Sequence, residues 1–359
     1  MRSRNLEQPE RISVNPMLVV VFTRQLSSML TSSVPILQSL ETLSEQPEDQ
    51  VFGEVIDFCA GKLQQGVSFS VAISRFPGIF PPIYQTMVQI GERTGCLDES
   101  LNRLALWLER DQALRQRIRG ALTYPGFVIT LASLMALTIF YTIMPTFVSI
   151  FEDMQVELPI TTRLMLALTR ALRNPPSVLC MLAAIMAGWT AFQAWRKTPA
   201  GALQFYRFCK RIPLIGSMLL FGGLARYCSA MEALLTSGMT LTSALRMAGA
   251  ASGDPLLEAD SPAMVQSVSD GNLLAEHLHK QEEVYPSTLR GMLAIGEETS
   301  TLPEMFGRTA AYYELEMNFK VEALGAALEP LMLGIVAVVV ATVILSIFLP
   351  LYSSLGQMA

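Results

Sequence analysis

Apolar residues near the start of the chain recur at three- and four-residue spacing. Leu18, Phe22, Leu26, Met29 and Leu30 follow this period, which sets them on one side of a helix. Asn15-Pro16 stands just before them, a capping residue followed by the residue favoured at the first helical position. Pro35 opens a second helix with an inner face of Ile36, Leu37, Leu40 and Leu43. The same reading predicts helices near 50–65, 69–76, 82–94 and 97–118, punctuated by Gly66, Pro77-Gly78 and Gly95. A sustained period-2 pattern is absent, so the expectation is a six-helix, all-α unit.

That unit occurs twice. Met29-Leu30-Thr31-Ser32-Ser33-Val34 returns as Leu234-Leu235-Thr236-Ser237-Gly238-Met239, and Phe80-Pro81 returns as Tyr285-Pro286. Met87-Val88-Gln89-Ile90-Gly91-Glu92-Arg93-Thr94 returns as Met292-Leu293-Ala294-Ile295-Gly296-Glu297-Glu298-Thr299. The offset is 205 residues throughout. A register held without a gap over so long a stretch marks two copies of one structural unit. The copies differ in places: Ser229 stands opposite Arg24, and Thr240 opposite Pro35.

Between and after the copies the polar pattern disappears. Gly120–Phe151, Asn174–Trp195 and Pro330–Ala359 carry no Asp, Glu, Lys or Arg. A helix needs about 20 apolar residues to cross a hydrocarbon layer about 30 Å thick, so each stretch is long enough for one span. The expected organisation is an N-terminal tail at 1–16, a first bundle at 17–119 and a first span at 120–148. A connector follows at 149–174, then a second span at 175–195 and a second bundle at 196–329. A third span at 330–352 and a tail at 353–359 complete the chain. Arg110, Arg115, Arg117 and Arg119 precede the first span, and Arg196, Lys197, Arg207, Lys210 and Arg211 follow the second. Lys and Arg accumulate on the cytoplasmic side. Both bundles are therefore expected in the cytoplasm, with the connector and the C-terminal tail on the far side.

Composition narrows the choices further. Of 359 residues, 51% are hydrophobic and 16% charged, which excludes an ordinary soluble protein, whose charged fraction is about 25%. The formal net charge of −5 provides no basic field for nucleic acid. Met1–Glu10 is polar and the apolar run Met17–Phe22 is short, so no secretory signal is expected there. The five cysteines, Cys59, Cys96, Cys180, Cys209 and Cys228, form no CxxC pair and read as free thiols in a reducing compartment.

The sequence offers no catalytic constellation. It has neither a GxxxxGK[ST] loop nor a GxSxG elbow. His277 and His279 are two apart, which points them to different helix faces, and they read as a solvated helix end rather than a metal pair. No enzyme activity, cofactor or metal is expected. Two features are candidate partner sites. One is the Gly-Glu pair of each copy, Gly91-Glu92 and Gly296-Glu297, which is either a packing-and-capping device or a contact for a partner. The other is the arginine run Arg110, Arg115, Arg117 and Arg119, suited to lipid head groups or to an acidic surface. A small-molecule transporter or a membrane-tethered signalling adaptor are alternatives. The spans lack the ionisable residues that mark transport routes.

The duplicated unit, its Gly-Glu pairs and the placing of the three apolar stretches together resemble the GspF/PilC family. These are inner-membrane platform proteins of type II secretion and type IV pilus machines. Ala121-Leu122-Thr123-Tyr124-Pro125, Glu157-Leu158-Pro159-Ile160-Thr161-Thr162-Arg163, Arg211-Ile212-Pro213-Leu214-Ile215-Gly216 and Phe348-Leu349-Pro350-Leu351-Tyr352 resemble family stretches at corresponding places. Ser300 departs from the glycine usual after Gly-Glu-x-Thr. The resemblance implies a non-enzymatic scaffold in the bacterial inner membrane. Its implied partners are a cytoplasmic assembly ATPase, pilins or pseudopilins, other inner-membrane assembly proteins, membrane lipid and a second copy of the chain.

Overall fold

The computed structural model describes residues 12, 14–45, 49–143, 174–196, 198–212, 214–282 and 284–358. Among these residues there are fourteen α-helices and no strand. The first six are α1 (Pro16–Thr31), α2 (Ile36–Ser44), α3 (Gln50–Gln64), α4 (Phe69–Ser74), α5 (Pro82–Thr94) and α6 (Leu97–Thr138). A π-helical turn, Ile139–Ile143, follows α6. Then come α7 (Pro175–Arg196) and α8 (Pro199–Lys210). The last six are α9 (Ile215–Thr236), α10 (Leu241–Ser252), α11 (Pro255–Ser269), α12 (Leu274–Lys280), α13 (Ser287–Glu298) and α14 (Leu302–Met358). The expected connector at 149–174 lies outside the described residues except for Asn174, as does most of the N-terminal tail.

The chain divides into two compact units. Met1–Arg117 and Ile215–Phe319 make one, and Ile118–Leu214 with Lys320–Ala359 the other. The first unit holds both copies of the repeat, each with the six helices expected. Local chemistry explains where helices begin. Asn15 caps α1 by accepting the Met17 N–H at 3.0 Å, and Asp49 caps α3 by accepting the N–H groups of Val51 at 2.8 Å and Phe52 at 3.3 Å. In the second copy Asp254 caps α11 through the Leu256 N–H at 2.8 Å.

Chain reversals obey the same geometry in both copies. Gly66 and Gly271, 205 residues apart, hold φ of +82° and +89°. Ser33 holds +63° where its counterpart Gly238 holds +88°, and Ser300 holds +57° where Gly95 holds +74°. The backbone path is kept even where the permissive residue is not.

The core of this unit is continuous through both copies. Leu26, Leu40, Val55 and Ile73 of the first are fully buried with Leu224, Leu234, Leu245 and Leu289 of the second. Truncating such a residue to alanine costs about 2–5 kcal/mol, because the cavity left behind only partly collapses. Phe22 meets Phe52 edge-on, ring centroids 5.5 Å apart, in the first copy, and Tyr227 meets Phe306 at 6.3 Å in the second.

Among the described residues three helices have the length and hydropathy to cross a membrane: Leu97–Met135 of α6, Ile215–Thr236 (α9) and Leu302–Val338 of α14. Burial separates them. Only 6% of the most apolar stretch of α6 and 11% of that of α14 is buried, against 67% for α9. The apolarity of α9 is thus satisfied by protein, as the central helix of the second copy. The expected second span coincides with α7, whose Leu179, Ile185, Met186 and Trp189 are exposed. Within the second unit α7 packs on α8, with Phe192 and Phe205 edge-to-face at 5.6 Å and the Arg196 guanidinium 4.5 Å from the Phe205 centroid.

Candidate functional site

The Gly-Glu pairs do the same structural work in both copies. Helix α4 starts at Phe69 behind Ser68, whose side chain makes no capping bond. The Glu92 carboxylate, arriving from α5, accepts the Phe69 N–H at 2.5 Å, the Ser70 N–H at 3.2 Å and the Ser70 hydroxyl. Helix α12 starts behind Leu273, which has no polar group to offer. Glu297 from α13 accepts the N–H groups of Leu274 at 2.7 Å and Ala275 at 2.9 Å. A carboxylate at a helix N-terminus satisfies orphan donors and meets the positive end of the dipole. The preceding glycine makes the approach possible. A Cβ on Gly91 would lie 2.8 Å from Ser100 Cβ and 2.9 Å from Leu97 Cα, and one on Gly296 would lie 2.8 Å from Met305 Cγ. These four residues bind each copy's fifth helix to its fourth and sixth, with both carboxylates engaged inside the repeat.

The arginine run divides. Arg110 reaches the second copy, its Nη1 2.9 Å from Glu232 Oε2 on α9. Arg103, about two turns earlier on the same face of α6, donates to the Thr236 carbonyl at the end of α9. Arg115 pairs along its own helix with Asp111 at 2.7 Å. Arg117 and Arg119 are exposed just before the charge-free stretch. The run is therefore part inter-repeat tie, through Arg110, and part exposed basic flank, of which Arg117 also lies near Glu314.

Around this tie the copies stop being equivalent. In the first, Arg24 of α1 forks onto Glu109 of α6, Nε to Oε1 at 2.7 Å and Nη2 to Oε2 at 2.6 Å, and its Nη1 donates to Asn102 at 2.9 Å. In the second, Ser229 stands where Arg24 would be, Gly307 replaces Asn102, and the arginines that act on Glu314 come from the first copy. Arg110 and Arg117 of the first copy lie near enough to oppose the effect of burial on Glu314. Gly307 has made room for Glu232: a Cβ there would sit 2.3 Å from Glu232 Oε1. The offset of 205 pairs these positions on paper, but no sequence signal shows that the second copy borrows its cation from the first.

The histidine expectation needs correction. His277 is not at a solvated end but buried, its Nε2 2.9 Å from Asp260 Oδ2, which also accepts the Tyr285 hydroxyl at 2.8 Å. It faces inward because α12 packs its Leu274, His277 and Leu278 side against the core. His279 lies 3.2 Å from Arg290. Among the described residues no three His, Cys, Asp or Glu side chains are grouped to hold a metal. The five cysteines are free, Cys59 and Cys228 buried and Cys96 exposed.

Comparison with known proteins places this architecture. The family described as "Type II secretion system (T2SS), protein F" matches the chain twice, at 22–145 and 227–350, the two matches displaced by the same 205 residues at both ends. A "Type IV pilus assembly protein PilC" of Thermus thermophilus is 33% identical over 341 residues, covering 95% of this chain and 83% of that protein. The protein of the same name from Pseudomonas aeruginosa is 28% identical, covering 94% and 90%. A "Type II secretion system protein F" of Xanthomonas campestris is 30% identical, covering 93% and 82%. With both copies matched and the similarity running almost end to end, the chain belongs to the type II secretion protein F family, the GspF/PilC family.

Proposed function

We propose that this chain is an inner-membrane platform of a type II secretion or type IV pilus machine, a non-enzymatic scaffold linking a cytoplasmic assembly ATPase to polymerisation of pilins or pseudopilins. The observation that carries the reading is the double family match, which takes in all but the first residues of each bundle's repeat helices and reaches into the charge-free stretches after each. In this reading 120–148, 175–195 and 330–352 cross the membrane, both bundles lie in the cytoplasm, and 149–174 and 353–359 lie in the periplasm. The basic flanks support that orientation. Arg117 and Arg119 are placed for anionic head groups, each worth about 1 kcal/mol near such a surface. A scaffold must transmit displacement without deforming, and the bonds of α5 to α4 with the close packing of α5 on α6, repeated in α12, α13 and α14, serve that purpose. The working form is a homo-oligomer, a dimer in the simplest case.

The test is deletion of the gene followed by complementation, with purification of the tagged protein from native membranes. Loss of filaments or of secretion, its restoration by the wild-type copy, and co-purification of an ATPase are the expected results. Normal filaments and secretion in the deletion strain would overturn the proposal.

A further inference from the structure

The six-helix unit is present twice, but the outer face of its sixth helix is covered in one copy only. On α6 the stripe Trp107, Arg110 and Leu114 turns toward the second copy. Trp107 and Leu114 are 7% and 5% exposed, and they share crevices with Ala225, Ser229 and Ala233 of α9. Arg110 completes the contact on Glu232 at 2.9 Å. The offset of 205 carries this stripe onto Tyr312, Leu315 and Phe319 of α14. The inner side of α14 is held by its own copy, with Phe306, Ala310, Tyr313 and Met317 buried, yet Tyr312, Leu315 and Phe319 are 40%, 53% and 56% exposed. Their spacing of three and four residues sets them on one side of the helix. Phe319 stops about 16 Å of helix short of Pro330, and Glu316, Lys320 and Glu322 accompany the stripe, so it belongs in water and not in lipid.

The surface that covers α6 has its counterpart too. Val21, Ser27 and Ser28 of α1 correspond to Arg226, Glu232 and Ala233 of α9. Ala233 is buried, whereas Ser28 is exposed, and Val21 and Met17 on the same side of α1 are each 41% exposed. One face on each copy is thus left uncovered, and the two are the halves of a contact the chain already makes once. An end repeat with nothing beyond it carries a polar outer face. Here the change runs the other way: the ion pair of Arg110 and Glu232 is replaced at both of its positions, by Leu315 and Ser27. We propose that the outer face of α14, formed by Tyr312, Leu315 and Phe319, docks on the outer face of α1, around Met17 and Val21, of a second molecule of this chain. The contact repeats between molecules what α6 and α9 do within one. It is head-to-tail, each molecule giving α14 and receiving on α1, so a closed pair makes it twice. The internal and external contacts do not exchange partners: Leu315 on α9 would strand Glu232, and Arg110 on α1 would find Ser27 and no acid. The inference deepens the homo-oligomer proposed above and rests on that part of the reading alone.

The test uses the full-length protein. A photoreactive benzoylphenylalanine replaces Leu315 in one tagged version, which is co-expressed with a second version carrying a different tag. Irradiation of native membranes should give a covalent pair holding both tags, with the crosslinked peptide of the second molecule falling in Pro16–Thr31. In liposomes, energy transfer between labelled molecules reports association. Leu315→Glu and Val21→Lys should each weaken it about tenfold or more, since each sets an unpaired charge on an apolar contact, and the two together should restore it to within about threefold. Both positions are exposed, so the fold tolerates the changes. Val71→Glu, on the exposed side of α4, should leave association unchanged. A pair crosslinked outside Pro16–Thr31, or association indifferent to both single changes, would overturn this interface and leave the homo-oligomer standing. A protein that stays single in liposomes would overturn both, while the platform reading still answers to the gene deletion.

Discussion

Glu109 and Glu314 occupy the same place in the two copies, 205 residues apart, and their protonation is driven in opposite directions. Both stand before the charge-free stretches that begin at Gly120 and Pro330. The Glu109 carboxylate is held below its ordinary value of 4.5 by the hydrogen bonds of Arg24. Glu314 is raised above the same value, chiefly by burial, and Arg110 and Arg117 offset that only in part. The arginine that separates them is the one replaced by Ser229.

The pH dependence follows. A carboxylate whose folded value is raised binds protons more tightly when folded, so its contribution to stability falls as pH rises above about 4.5. Glu314→Gln should raise the midpoint of thermal unfolding at pH 7, and the gain should vanish near pH 4. Glu109 has the opposite sign: its stabilisation is present above 4.5 and is lost as pH falls through its lowered folded value. Glu109→Gln should therefore lower the midpoint at pH 7 and matter less in acid. Parallel pH profiles for the two variants would contradict the assignment.

Removing either capping carboxylate should loosen the same joint in each copy. Glu92→Ala and Glu297→Ala should each cost about 1–2 kcal/mol, the usual worth of a helix cap. The Gln variants should cost less, since one acceptor remains. Chemical denaturation of the detergent-solubilised protein, with Arg308→Ala as a neutral surface control, measures the difference.

The glycines before them should not be equally sensitive. At Gly91 a new methyl meets Leu97 Cα at 2.9 Å, which is backbone, whereas at Gly296 the nearest atoms belong to the flexible Met305 side chain and Leu302 Cα is 3.4 Å away. Gly91→Ala should cost about 1–3 kcal/mol, the range for overpacking, and Gly296→Ala distinctly less. Equal losses would mean that Met305 cannot move aside.

Ser33 and Ser300 should accept glycine with a gain. Each sits at positive φ, where an L-residue pays about 1–2 kcal/mol. Greater freedom of glycine in the unfolded chain returns roughly 0.4–1 kcal/mol of that. A net stabilisation of about 0.5–1 kcal/mol is expected for Ser33→Gly and Ser300→Gly, read as a higher unfolding midpoint. The reverse change, Gly95→Ser, should destabilise.

Two thiols report orientation. Cys59 is buried and its thiol is pushed up to about 12, so it stays inert, whereas Cys96 is exposed. In a variant retaining only these two cysteines, a membrane-impermeant maleimide should label Cys96 in inside-out vesicles and not in intact spheroplasts. Labelling of Cys96 from outside would invert the topology proposed above.

Much of the fold was legible along the chain because its determinants are local or periodic. The spacing of Leu18, Phe22 and Leu26, the cap at Asn15 and the turns at Gly66 and Gly95 each depend on neighbours within a few residues. Duplication made the rest readable, since one register of 205 carries every helix of the first copy onto the second. The apolarity of α9 was ambiguous for the converse reason. Composition alone does not say whether protein or lipid covers a helix, and α9 is covered by its own bundle.

What the tertiary structure alone decided is where polar side chains find partners across long separations. The reach of Glu92 to Phe69, the burial of His277 against Asp260, and the crossing of Arg110 to Glu232 join residues 17 to 122 positions apart. A carboxylate or guanidinium reads the same in a sequence whether it faces water or closes a distant joint. Only packing, by excluding water from one side of α6 and α12, determines which of the two it does.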